Sequence, residues 1–114
     1  MPFRRGDVVL VLFPDSNLRT AKRRPALVIQ ADNLNTGLPQ SIIAMISNMT
    51  LAGHPSRVTL LLKSHAGKET RILMDSVVMT DNLATVRENE IDRTLGNLKD
   101  LTEVDSALRL TLSL

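Results

Sequence analysis

The apolar residues of this chain gather in short stretches, Val8–Phe13, Pro25–Ile29, Ile42–Ile46, Val58–Leu62 and Val77–Met79, separated by clusters of Gly, Pro, Asn, Asp and Ser. Stretches of this length, rich in β-branched residues and closed by turn formers, suit strands and are too short to span a membrane as helices. The first runs from Asp7 to Phe13 and stops at Pro14-Asp15-Ser16-Asn17. Ser16 to Arg24 is polar, basic and without period, which reads as a loop. A second strand follows over Pro25–Ala31, with proline at the first position, where a missing N–H is tolerated. Turn formers from Asp32 to Pro39 lead into a third strand, Ser41–Ile46, and Gly53-His54-Pro55-Ser56 into a fourth, Arg57–Leu62. Ser64–Lys68 reads as a loop. Between Glu69 and Thr80, Ile72-Leu73-Met74 and Val77-Val78-Met79 make one bent strand or two short ones.

After Asp81 the pattern turns toward helix. Thr85 followed by Glu88 has the spacing of a capping box and predicts a short helix through Arg93, broken at Gly96-Asn97. A last helix is expected after Asp100, because Leu101, Val104, Ala107, Leu108, Thr111 and Leu112 repeat at helical spacing. Five or six short strands with tight loops and a closing helix predict a small twisted barrel. With 114 residues, 43% of them hydrophobic, the chain suits a single domain over residues 1–114. It has no cysteine, which removes disulfides, thiol chemistry and thiolate metal sites and fits a reducing cytoplasm. The N-terminus reads as unprocessed and no membrane association is expected.

The charge is unevenly spread. Residues 1–24 hold Arg4, Arg5, Arg19, Lys22, Arg23 and Arg24 against Asp7 and Asp15, whereas residues 75–105 hold eight acids against three bases. The first stretch suits a polyanion and the second repels one, although both also suit ordinary solvated faces. Phe3 and Phe13 are the only aromatics. A single-strand binder that stacks bases on exposed rings needs more, so nucleic-acid recognition here must use charge and hydrogen bonds. His54 and His65 fall in different predicted loops, no HExxH, P-loop or GxGxxG pattern occurs, and Ser47 lacks the glycines of a nucleophile elbow. Neither a metal nor a nucleotide cofactor is expected.

Gly6-Asp7-Val8, the segment Lys22-Arg23-Arg24-Pro25-Ala26-Leu27-Val28-Ile29-Gln30, the strand ending in Ser47 and the later Asp75-Ser76-Val77-Val78 together resemble the MazF/PemK (Kid-like) toxins. Their order and spacing cover nearly the whole chain. The resemblance implies an SH3-like barrel, mainly β with appended helices, whose C-terminal helix packs on the barrel. It implies a homodimer that cuts single-stranded RNA at short sequences without metal and is neutralised by an antitoxin protein with an acidic tail. Arg24 matches the family's active-site arginine, Ser47 stands where relatives carry a threonine hydroxyl near the scissile phosphate, and Asp81 aligns with a carboxylate that takes the 2′-hydroxyl proton in some members. Those members carry an arginine two residues before that carboxylate, where this chain has Met79, and their downstream Arg-Thr pair is Ala84-Thr85 here.

Guanidinium is a reluctant acid, with a pKa above about 12, so electrostatic stabilisation is the role expected of Arg24. Arg19, Lys22 and Arg23 are expected to hold the RNA backbone. Gln30, Asn48, Thr50 and Asn82 offer donors and acceptors for base edges and equally suit a polar surface. The same fold leaves a second reading open: a non-nuclease toxin that inhibits a protein such as DNA gyrase, or a catalytically weakened binding module.

Overall fold

The computed structural model describes residues 3–14 and 21–114. Six strands are present: β1 (Asp7–Pro14), β2 (Ala21–Val28), β3 (Gln40–Asn48), β4 (Arg57–Leu60), β5 (Ser76–Arg87) and β6 (Ile91–Asn97). They form one antiparallel sheet in the order β4-β5-β3-β2-β1-β6. Two helices accompany it, α1 (His65–Thr70) and α2 (Thr102–Leu112). The expected barrel takes the form of an open sheet, with β4 and β6 as its outer strands and α2 packed against β4 and β5.

Near-continuous apolar strands mean burial on both faces, and here alternate residues feed two cores. Val8, Leu27, Ala44, Ile46 and Val78 pack with Val104, Ala107 and Leu108 of α2. On the other face Val9, Val11, Ala26, Val28 and Ile43 pack with Val86 and Ile91. Between Met79, opposite Met45, and Leu83, opposite Ala44, strand β5 carries three unmatched residues, Thr80, Asp81 and Asn82. Such a bulge bends its strand and re-aims the side chains it displaces. The Thr80 hydroxyl, fully buried there, donates to the Ser56 carbonyl at 2.5 Å and lies 2.8 Å from the Thr111 hydroxyl of α2.

Four elements differ from the sequence expectation. Strand β2 begins at Ala21 and ends at Val28, so Lys22, Arg23 and Arg24 are paired strand residues opposite Phe13, Leu12 and Val11. Ile72–Met74 is not a strand, and Ser64–Lys68 is mostly helix α1, capped by the Ser64 hydroxyl, which accepts from the Gly67 N–H at 3.0 Å. No helix opens at Thr85: β5 continues to Arg87, a single 3-10 turn spans Glu88–Glu90, and Gly96-Asn97 lies inside β6. The capping geometry is real but displaced, since the Arg87 N–H donates to the Glu90 carboxylate at 3.0 Å. Helix α2 starts at Thr102, whose N–H and hydroxyl both donate to Asp100.

Candidate active site

The register of β2 against β3 sets Ala26 opposite Met45, Leu27 opposite Ala44 and Val28 opposite Ile43. Continued two residues, that register brings Arg24 level with Ser47. Both line one pocket of about 330 Å³, together with Arg23 and Asn48. Leu10, Pro25, Ile46 and Leu95 give it an apolar floor, and Arg71, Ile72, Leu73, Met74 and Ser76 supply the rest of its wall. Among the described residues no carboxylate lines it. A concave, mostly apolar pocket with convergent cations is built to desolvate and hold an anion.

Of the residues expected to act, the fold therefore gathers Arg24, Ser47, Arg23 and Asn48. Arg23 is shared with Asp92 of β6, 3.4 Å away, and both side chains are well exposed. Asn48 uses its side-chain oxygen to accept from the Thr50 N–H and hydroxyl, so its amide donors are what it can offer a ligand. Thr50 is thereby part of a turn cap and does not line the pocket. Lys22 is an exposed strand residue outside the lining. Arg19 lies outside the described residues.

Gln30 and the bulge residues sit elsewhere. The Gln30 side chain is buried, and its oxygen accepts from the Ile42 N–H at 3.2 Å, which continues the β2–β3 pairing beyond the end of β2. Asp81 is ion-paired with Arg57 of β4 at 2.9 Å, and neither it nor the exposed Asn82 beside it lines the pocket. The hydrogen bond from Arg57 holds the Asp81 carboxyl below the usual aspartate range. Arg57 in turn donates to the Leu51 carbonyl at 3.2 Å, which ties the bulge to the turn after β3.

Sequence reasoning missed Arg71 and the segment that follows it. The available signal was Ser64 ahead of a potential i,i+4 pair, His65 with Glu69, now seen 3.4 Å apart. It also overstated the basic N-terminus. The Arg5 guanidinium is spent on structure, donating to the Ile29 carbonyl at 2.9 Å and to Asp105 of α2 at 2.6 Å. Among the described residues no three His, Asp or Glu side chains converge as a metal site.

The family model of PemK-like, MazF-like toxins of type II toxin-antitoxin systems matches residues 4–112. The chain belongs to this family. Endoribonuclease MazF6 of Mycobacterium tuberculosis is 36% identical over 107 residues, covering 90% of each chain. Endoribonuclease MazF2 of Mycobacterium bovis matches with the same identity and coverage. The MazE-MazF structure from Deinococcus radiodurans superposes with a TM-score of 0.76 at 22% identity, covering 100% of this chain and 99% of that one. Those values establish a shared PemK/MazF-type fold.

Proposed function

We propose that this PemK/MazF-type toxin is a metal-independent endoribonuclease that cuts single-stranded RNA at the pocket shared by Arg24 and Ser47. The observation that carries the reading is that pocket, in which Arg24 and Ser47 from neighbouring strands line one cavity with no carboxylate among its described residues, on a chain 36% identical to named endoribonucleases. The RNA 2′-hydroxyl gives its proton to solvent water and attacks the adjacent phosphorus, the new O–P bond closes a 2′,3′-cyclic phosphate, and the bond to the 5′-oxygen breaks as that oxygen takes a proton from water to leave a 5′-hydroxyl. Negative charge builds on the non-bridging oxygens during this exchange. Arg24 donates paired charge-assisted hydrogen bonds to those oxygens, and the Ser47 hydroxyl adds a third donor. Because a general base works best with a pKa near the operating pH, a carboxyl held low by Arg57 fits that task poorly. Asp81 is assigned the work of fixing Arg57 and the bulge.

Arg23, Lys22 and Asn48 hold the strand on either side of the cut, and an acidic segment of a cognate antitoxin covers the same cationic surface in the cytoplasm. Two copies of the chain assemble, a reading supported by the exposed Leu110, Leu112 and Leu114 at the C-terminal end. Sedimentation showing only monomers at micromolar concentration and full activity would remove the dimer. The nuclease reading is tested by incubating the protein with long single-stranded RNA in EDTA. Discrete cuts with cyclic-phosphate ends, absent in Arg24→Ala, are expected; intact RNA with inhibited DNA gyrase would overturn it.

A further inference from the structure

Arg71 ends α1 in left-handed backbone, with φ 57° and ψ 33°. Glycine is the ordinary occupant of such a helix end, because a Cβ there crowds the neighbouring carbonyl. A long cation stands here instead. Backbone held in this region persists where its surroundings over-determine it, and such residues gather at functional sites. The surroundings of Arg71 do so from two sides. Gly67 packs so closely that a Cβ would stand 2.0 Å from the Leu61 carbonyl oxygen, and one on Gly96 of β6 would stand 2.2 Å from that of Glu69. Between them the buried Thr70 hydroxyl donates to the Ala66 carbonyl at 2.7 Å. The end of α1 is therefore clamped, and it delivers Arg71 to the pocket that holds Arg24 and Ser47.

Three guanidiniums, Arg23, Arg24 and Arg71, line this pocket, Arg23 being shared with Asp92, and among the described residues no carboxylate belongs to its lining. Among the described residues Arg71 forms no ion pair, in contrast to Arg5, Arg23 and Arg57. A scissile phosphodiester carries one negative charge and is already served by Arg24, so a further cation calls for a further phosphate. Leu73, 90% exposed, and Met74 adjoin Arg71 on the same wall, as apolar surface open to solvent.

We propose that Arg71 is a substrate-contact residue that holds the phosphate next to the scissile one, while Leu73 and Met74 support the base between the two phosphates. This assignment rests on the RNA-cleavage reading of the same pocket. It divides the site into a cleavage half on β2 and β3 and a grip half on the segment after α1.

The test uses an RNA oligonucleotide with one mapped cut site, in EDTA, and the same oligonucleotide with a 2′-deoxy nucleotide at that site for binding. Arg71→Gly removes the guanidinium and also relieves the left-handed strain, so it separates contact from folding. The expected result is a Tm equal to or above that of the wild type, KM and Kd raised about tenfold, and kcat within about threefold. The slope of log affinity against log salt should shrink by about one. Arg71→Lys, which keeps charge without the planar fork, should fall between wild type and Arg71→Gly. Unchanged Kd and salt slope in Arg71→Gly, with an active wild type, would overturn this assignment alone. Weaker binding accompanied by a lower Tm would make Arg71 structural and overturn it equally. A wild type that neither binds nor cuts the oligonucleotide would remove both this assignment and the nuclease reading.

Discussion

Asp81→Asn separates a structural carboxylate from a catalytic one. The substitution breaks the ion pair with Arg57, a contact of 2.9 Å between side chains that are 34% and 24% exposed. Exposed pairs contribute about 0.2–1 kcal/mol, and breaking a buried one costs about 3–5 kcal/mol. A half-screened pair lies between, at about 1–2 kcal/mol, with the Arg57 Nε already lacking a hydrogen-bond partner in the described structure. For a domain of this size that lowers Tm by roughly 5–10 °C. The pH dependence has a definite sign. Arg57 holds the folded-state carboxyl below its ordinary value, so the stabilisation is full above the unfolded-state pKa of about 3.9 and is lost as pH falls through the lower folded-state value. Wild-type and Asp81→Asn melting curves should differ fully at neutral pH and converge in acid below about pH 4. Single-turnover cleavage at pH 7, well below both melting temperatures, should change less than about threefold, whereas loss of a general base costs about 10²–10⁴-fold. A hundredfold slower rate with unchanged RNA binding would refute the reasoning and return Asp81 to the chemistry.

Ser47→Ala should slow single-turnover cleavage by roughly tenfold or more, the worth of a hydrogen bond to a charged oxygen, and Ser47→Thr should restore most of the rate. Gln30→Ala should lower stability by about 1–3 kcal/mol in urea titrations, because the Ile42 N–H loses its partner, while RNA sequencing should find the cleavage sites unchanged. Altered cut sites in a folded Gln30→Ala would return Gln30 to base recognition.

Much of the fold was legible because hydrophobic period and turn chemistry agree over β1, β3 and α2. The failures have specific physical causes. Lys22-Arg23-Arg24 looks like a solvated loop, since all three side chains are exposed on a strand held by backbone pairing to β1. Strand β6 exposes Asp92, Arg93 and Thr94 in succession, so it shows no alternation, and the spacing of Thr85 and Glu88 imitates a helix start that the real Arg87–Glu90 contact forms as one turn. Helix α1 is six residues long, too short for periodicity to register. At the site, Arg24 and Ser47 were named from the family resemblance, Arg23 from the basic run and Asn48 from its amide, and the fold brings all four to one pocket. The wall at Arg71 depends on where α1 docks, which two close glycine contacts decide and no local pattern announces. The burial of Gln30 and the ion pair of Asp81 are likewise tertiary facts.

The central claim is that Arg24 stabilises charge on the phosphate and does not protonate the leaving oxygen. An RNA oligonucleotide with sulfur in place of the 5′-bridging oxygen at the cut site tests it, because a thiolate leaves without needing a proton. Single-turnover rates should show Arg24→Ala slower than wild type by about 10²–10³-fold on both the oxygen and the sulfur substrate. Cleavage of the sulfur substrate by Arg24→Ala at close to the wild-type rate would contradict the account and make the arginine the acid.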